Sequence, residues 1–382
     1  MRFFLFIILL LQTLSSHATE RVWNCADTIK WERPDTTKSF RQYLRKAKRM
    51  MKKMNDIDTN YIEPQRYNFT VMLQNTDNFE VYALNSKNGQ SITFAPDPSI
   101  RIGPYVGWRW VFLGYTLDIK HPFATGSSNQ KKELDLSIYS SKIGVDLYYR
   151  NTGNDYKIRR MNLGQGIDTS PMRGVDFNQL KSTVKGFNVY YIFNHRRFSY
   201  PAAFSQSTMQ RKSAGSPLIG IGYTRHTLEI NWPELYDEVA KRVDLSKFEG
   251  GIDSTLMVEK IRYTDISVNG GYAYNWVFAH NWLAAGSLTI GLAYKRNSGK
   301  IIEENFNLRN FISNNLNLDA TARIGLVWNN MKWYAGMSAI MHAYNYRRDQ
   351  FSSTNLFGNI NFYVGMNFGK RNKSKKNKNK KQ

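Results

Sequence analysis

The 382-residue sequence predicts an all-β protein: an antiparallel transmembrane β-barrel of 12 to 14 strands, preceded by a short basic N-terminal helix. Three observations carry that expectation. Apolar residues in the body alternate with a period of two over runs of 10 to 14 residues. Large rings are abundant (23 Tyr, 22 Phe and 9 Trp), yet mean hydropathy is only −0.51. An apolar leader opens the chain. Strands of soluble sheets average roughly 5 to 6 residues, whereas a tilted strand crossing a hydrocarbon layer takes about 9 to 11. The low hydropathy excludes a bundle of transmembrane helices, and the single Cys25 excludes a disulfide-stapled small domain.

Residues 1–18 read as a signal peptide, with Arg2, an apolar run over 3–11 and the small-residue exit Ser15-Ser16-His17-Ala18. The run is short of the ~20 residues an anchor needs, which points to cleavage after Sec-type export. Cys25 lies seven residues past Ala18, away from the position lipidation requires. Residues 19–66 form a periplasmic leader. Its segment 38–54 carries eight positive charges and no acid across 38–53, with Phe40, Leu44, Ala47 and Met51 on one face, the pattern of a basic amphipathic helix. The tail 370–382 carries eight more and reads as disordered.

These two segments hold 16 of the net +23. The high charge therefore belongs to the termini, and an exported chain meets no nucleic acid. Expected partners are outer-membrane lipids, the machinery that inserts barrels during biogenesis, and anionic envelope polymers facing the basic termini. The alternative is that both termini are solvated extensions.

The barrel spans 67–369. Ile360, Phe362, Val364, Met366 and Phe368 alternate with polar residues, and the runs 316–328 and 333–343 do the same across a short connection at 329–332. Short turns near 329–331 and 276–282 alternate with long loops at 346–356, 297–314 and 231–256, as in outer-membrane barrels. Toward the front, 99–107 and 110–120 form a tight hairpin with loop 121–132 beyond it. Segments 131–140, 142–150 and 155–161 read as strands, which makes 162–182 an unusually long periplasmic connection and leaves the count open between 12 and 14. Trp108, Trp110, Trp276, Trp282, Trp328 and Trp333 fall beside short turns, where an interfacial girdle sits.

Four runs carry a family resemblance: YIEPQRYNFTVMLQNTDNFEVYAL (61–84), GPYVGWRWVFLGYTLDI (103–119), GVDLYYRNTGNDYKIR (144–159) and GFNVYYIFNHRRFSYPAAFSQST (186–208). They resemble the family called domain of unknown function 4421, found in Bacteroides-type bacteria and regarded as outer-membrane barrels. The resemblance runs from about 56 to 368. It implies the compartment, the outer membrane of a Gram-negative bacterium, and the architecture, and it implies no activity and no site residues.

No metal or cofactor is expected, since the six histidines are scattered with no second ligand at i+3 or i+4. Gly164-Gln165-Gly166 and Gly220-Ile221-Gly222 lack the βαβ context of a nucleotide loop and are read as relief of crowding. One enzyme-like set exists: His195, Ser207 and His226, a histidine–serine grouping of the kind lipid-modifying hydrolases use. Polar residues of this sort are equally ordinary in a lumen or rim, and the weight falls against an enzyme. Arg196, Arg197, Arg211 and Lys212 are candidates for lipid phosphates, or else rim charges. Arg101, Arg109, Arg323 and Lys332 are candidates for an anion-selective lumen. Arg323 is opposite in parity to Ile324 and Leu326 and so points inward. The functional expectation is a passive small-solute or anion channel or a structural envelope barrel. The alternatives are an outer-membrane hydrolase and a soluble periplasmic or surface β protein.

Overall fold

Period-two alternation becomes a wall only if strands pair edge to edge, and the computed structural model pairs every strand of the wall on both edges except, among the described residues, Val111–Gly114 and Leu117–Asp118 at one end of the order and Lys132–Tyr139 at the other. It describes residues 57–108, 111–114, 117–118, 132–152, 155–164, 166–244, 251–254, 256–257, 260–297, 316–348 and 351–370. The expected signal peptide at 1–18, Cys25, the expected basic helix at 38–54, Arg109, Trp110, nearly all of the expected loops 121–132 and 297–314, and the residues beyond Lys370 lie outside the described residues.

In chain order the strands are β1 (Ile62–Pro64), β2 (Tyr67–Ser86), β3 (Ser91–Pro96), β4 (Ser99–Trp108), β5 (Val111–Gly114), β6 (Leu117–Asp118), β7 (Lys132–Tyr139), β8 (Ile143–Thr152), β9 (Tyr156–Asn162), β10 (Leu180–Ile192), β11 (Thr208–Gln210), β12 (Ala214–Ile230), β13 (Lys260–Ala279), β14 (Trp282–Asn297), β15 (Leu316–Asn329), β16 (Trp333–Arg348) and β17 (Phe351–Lys370). Among the described residues, two α-helices, α1 (Tyr200–Phe204) and α2 (Trp232–Arg242), and a 3-10 turn at Ser170–Met172 lie in connections. The antiparallel wall runs β5-β4-β2-β17-β16-β15-β14-β13-β12-β10-β8-β7, with β6 continuing β5 along β4. That is twelve positions. The ladder from Phe351↔Ser86 to Lys370↔Tyr67 joins the first long strand to the last.

The strand count resolves at β9. Segment 155–161 is a strand as expected, but it leaves the wall and pairs with β3 instead of crossing, from Ser91↔Asn162 to Pro96↔Tyr156. The connection 163–179 therefore lies at the long-loop end and is not a periplasmic excursion. A second departure concerns the expected loop 346–356. β16 reaches Arg348 and β17 starts at Phe351, so the strands occupy most of it. The other expected hairpins hold, including Ser99–Trp108 against β5 and β6. Tight turns next to Trp282 and Trp333 place Asn281 (φ 66°) and Met331 (φ 75°) in the left-handed region. Met331 tolerates it because the Asn329 side chain accepts its N–H at 2.7 Å and Asn367 donates to its carbonyl at 2.9 Å.

Outward positions make a continuous apolar belt. On β13, Ile266, Val268, Tyr272, Tyr274 and Trp276 are exposed. Ten residue steps at about 3.4 Å along a strand tilted by roughly 40° give a height of about 26 Å, the height of a lipid-facing band. Leu288, Ile290, Leu292, Leu318, Ile324, Phe362, Val364, Val71 and Leu73 continue the belt round the wall. At its lower edge Trp276 (56% exposed), Trp282 (39%) and Trp333 (46%) face outward, Trp328 is half-buried beside them, and Phe69 stacks on Phe368. Trp108 closes β4 opposite Phe69.

The inward face forms three layers. A large apolar cluster fills the long-loop end. It brings together Tyr82, Leu84, Ile92, Phe94, Ile158 and Met172 with Leu235 and Val239 of α2. The middle is polar. The short-turn end is filled by residues 193–213, which fold inward through α1 so that Tyr200, Ala202, Ala203 and Phe198 pack on Tyr190, Leu218, Leu283 and Val327.

Candidate functional site in the lumen and at the basic rim

Inward charges in the middle layer are tied across the barrel. Arg323 of β15 is 2% exposed and bonds to Asp146 of β8 on the opposite wall. Its guanidinium also lies 5.2 Å from the Tyr190 ring centroid and 5.9 Å from that of Tyr200. Arg150 of β8 pairs with Asp135 at 2.7 Å and donates to the carbonyls of Phe79 (3.1 Å) and Gly358 (3.0 Å). Tyr148 meets Tyr344 at 2.6 Å, and Tyr82 bonds to Ser182. Higher up, the Lys295 ammonium lies 4.0 Å from the Tyr346 ring and directly across the β13–β14 ladder from Asp265. A buried pair is expensive to desolvate and costly to break, so the Arg323–Asp146 and Arg150–Asp135 ties fix one arrangement of the walls.

Glycine has a steric role where the strand would otherwise be crowded. A side chain at Gly220 would collide with the Val189 carbonyl and Tyr190, as the Gly-x-Gly reading at 220–222 expects. Gly164 (φ 122°) and Gly166 (φ 83°) instead serve a loop at the long-loop end. A cavity of about 370 Å³ remains beside β7, lined on its polar side by Gln74, Thr76, Arg101, Ser137, Asn359 and Asn361. Among the described residues no group of three His, Cys, Asp or Glu is placed to hold a metal ion.

Of the anion-lumen candidates, Arg101 lines that cavity and Arg323 points inward, already neutralised by Asp146. Lys332 does not line the lumen: it is exposed in the β15–β16 turn, because the tight turn ends the alternation one residue before β16 begins. The hydrolase set is not assembled. Ser207 sits in the short-turn plug, hydrogen-bonded to Ser205 at 3.2 Å. His226 is buried in the lumen near the long-loop end, stacked on Tyr263 with ring centroids 4.6 Å apart. His195 lies on the outer rim against Tyr191. Sequence order brought these residues near one another, and the length of β12 separates them.

The four lipid-phosphate candidates fall at one end of the barrel, and Arg197 and Lys212 share one ring there. Arg196, Arg197, Arg211 and Lys212 are all exposed at the short-turn end, where the chain enters the described structure. Asp58 donates its N–H to the Arg196 carbonyl at 2.8 Å. β1 then pairs with β11, Ile62↔Gln210 to Pro64↔Thr208. Two cations pack on the Tyr61 ring, Arg197 at 5.1 Å and Lys212 at 5.7 Å from its centroid. Glu63 binds Arg211 and Arg66. Gln210, 4% exposed, holds the frame: its amide donates to the carbonyls of Arg197 (2.6 Å) and Lys212 (2.9 Å), and its oxygen accepts from Ser199 N–H (3.1 Å) and Asn275 (3.2 Å). Sequence reasoning found the cations and missed Gln210, Asn275 and Tyr61. Asn275 alone had a signal, being a polar inward residue in a strand.

No curated protein matches the sequence. Among solved structures, the chain is similar to the outer membrane protease OmpT from Escherichia coli (7% identity, 81% of this chain and 100% of that one, TM-score 0.34). It is also similar to the toluene transporter TodX of P. putida (9% identity, 80% and 91%, TM-score 0.23) and to the translocator domain of the autotransporter NalP from Neisseria meningitidis (9% identity, 87% and 98%, TM-score 0.26). The family described as Domain of unknown function (DUF4421) matches residues 56–368, and the chain belongs to that family.

Proposed function

We propose that this protein is a barrel of the Gram-negative outer membrane that serves as a closed envelope scaffold and not as a passive channel. One observation carries the choice: the middle of the lumen is crossed by the Arg323–Asp146 pair and its neighbours while both ends are packed by apolar clusters. A conducting pore needs a water path past a ring of fixed charges, and here the mid-lumen guanidiniums of Arg323 and Arg150 are spent on Asp146 and Asp135. Membrane residence is supported by the belt of about 26 Å, since lipid-exposed backbone must be paired and outward faces apolar. By the same logic the short-turn end faces the periplasm after Sec-type export, and the long loops face outward.

Two measurements test this. Outer-membrane fractionation, with slower or faster migration of the unboiled protein in a gel, is expected; a soluble periplasmic protein without that shift would sink the reading. In planar bilayers the reconstituted full chain is expected to stay silent at loads where a porin gives steps. Stepwise conductance, reduced in anion selectivity by Arg323→Gln, would restore the channel.

A further inference from the structure

The short-turn end is charged far out of balance. Around the strand ends stand Arg66, Lys142, Arg196, Arg197, Arg211, Lys212, Lys332 and Lys370, while the described residues there include only two carboxylates, Asp58 and Glu63. Glu63 is already shared between Arg211 and Arg66. Arg197 and Lys212 have no carboxylate partner among the described residues; each packs on the Tyr61 ring, and both backbones are clipped by the buried Gln210 side chain.

Two cations that pack on one ring, with both backbones held by one buried side chain, make a partly preorganised receptor for an anion with several acceptor oxygens. Its position identifies the source of that anion. Phe193, two residues before His195, is exposed on the outer wall, and Tyr191 beside it is also exposed. Ser213, next to Lys212, accepts the N–H of Val277 at 2.9 Å, between the exposed Trp276 and Phe278. Both cation-bearing segments thus leave the wall at the aromatic girdle, the depth at which lipid head groups lie. We propose that Arg197 and Lys212, clipped together by Gln210 over Tyr61 and flanked by Arg196, bind the phosphate of an anionic lipid in the adjoining leaflet. Arg211 takes a supporting part, held by Glu63. This rests on the membrane reading above and adds a ligand to it.

The test uses the full chain purified in a neutral detergent, with bound lipid counted by native mass spectrometry after addition of equal phosphatidylglycerol and phosphatidylcholine. The expected result is retention of phosphatidylglycerol over phosphatidylcholine. The preference should fall roughly fivefold for each cation removed, so about 25-fold in Arg197→Gln with Lys212→Gln. Lys332→Gln, at the same end but away from the Gln210 clip, should leave it within about twofold. A double variant that keeps the wild-type preference overturns the proposal. So does full displacement of the lipid by millimolar inorganic phosphate, which would make this a free-phosphate site. If the double variant loses its unboiled gel shift, Lys212→Gln alone is measured, and an unchanged preference there is equally fatal. Failure of the membrane reading shows separately, as absence of the wild-type protein from the outer-membrane fraction.

Discussion

The two ends of the barrel are both filled, by different means. At the long-loop end the filling is assembled from many segments: β2, β3, β9, the 163–179 connection and α2 all contribute to one apolar cluster. Its surface charges are mixed and paired, as in Lys157 and Arg159 with Asp97, or Lys241 and Arg242 with Glu238. At the short-turn end segment 193–213, joined by β1, does the filling, and the charged residues of the surface around it are almost wholly cationic. Apolar burial needs no particular sequence order, so one end is built from pieces scattered along the chain and the other mainly from one insertion. Charge does distinguish them. A balanced surface suits water and a polycationic one suits an anionic neighbour.

The strongest way to break the comparison is to remove what both ends share. Arg323→Gln strips the partner from the buried Asp146 and is expected to cost about 3–5 kcal/mol, read as a lower urea midpoint for loss of the unboiled gel form. Adding Asp146→Asn should return much of it, and no recovery would mean the pair does not couple the walls. Next comes Leu235→Ala in α2. Leu235 is fully buried, so the loss should be about 2–5 kcal/mol. It should appear as protease cutting near 232–242 while lipid retention at the other end is unchanged. Gln210→Ala sharpens the contrast from the opposite side. Leaving the Ser199 N–H and the Asn275 amide short of an acceptor costs about 1–3 kcal/mol, and lipid preference should fall without exposure of α2 to protease.

The smallest effect is a pH response at the long-loop end. Hydrogen bonds from Lys157 (2.8 Å) and Arg159 (2.6 Å) hold the Asp97 carboxyl down at about 2, below its ordinary 3.8. A depressed carboxylate stabilises the fold above pH 4 and loses that contribution as pH falls through 2. Because the side chain is half exposed, the effect is well under about 1 kcal/mol. Asp97→Asn should abolish the corresponding acid step in hydrogen exchange of β9, and an unchanged step would place its origin elsewhere.

The wall was legible because its physics is local. Parity alone put Arg323 inside, opposite Ile324 and Leu326, and the spacing of the tight turns put the girdle tryptophans beside them. Its partner Asp146 lies on the far wall, which no local pattern reports. β9 has the alternation of a wall strand yet pairs outside the wall, since alternation says that a strand has two faces and not where its edges pair. Residues 193–213 occupy the end where short turns are the rule, so their inward fold had no precedent in the spacing. The cap of α2 was readable and unread: Asn231 accepts from the Glu234 N–H at 3.4 Å, with Pro233 between them in the first turn. The hydrolase candidates misled because proximity along the chain was their only merit.

The ladder between β2 and β17 bears on how the molecule is made. It joins residues about 300 apart, with Phe69 stacked on Phe368 at 5.6 Å. Ribosomal synthesis delivers β2 about 300 residues before its permanent neighbour, so until β17 arrives one edge of β2 waits with unpaired donors and acceptors. Such an edge can template aggregation, and long-range pairing of this kind is slow. The interval must be survived by keeping the chain unfolded or chaperoned until β17 arrives. A chain cut just before Phe351 would never leave that state, and its fate in the cell should be degradation and not a smaller barrel.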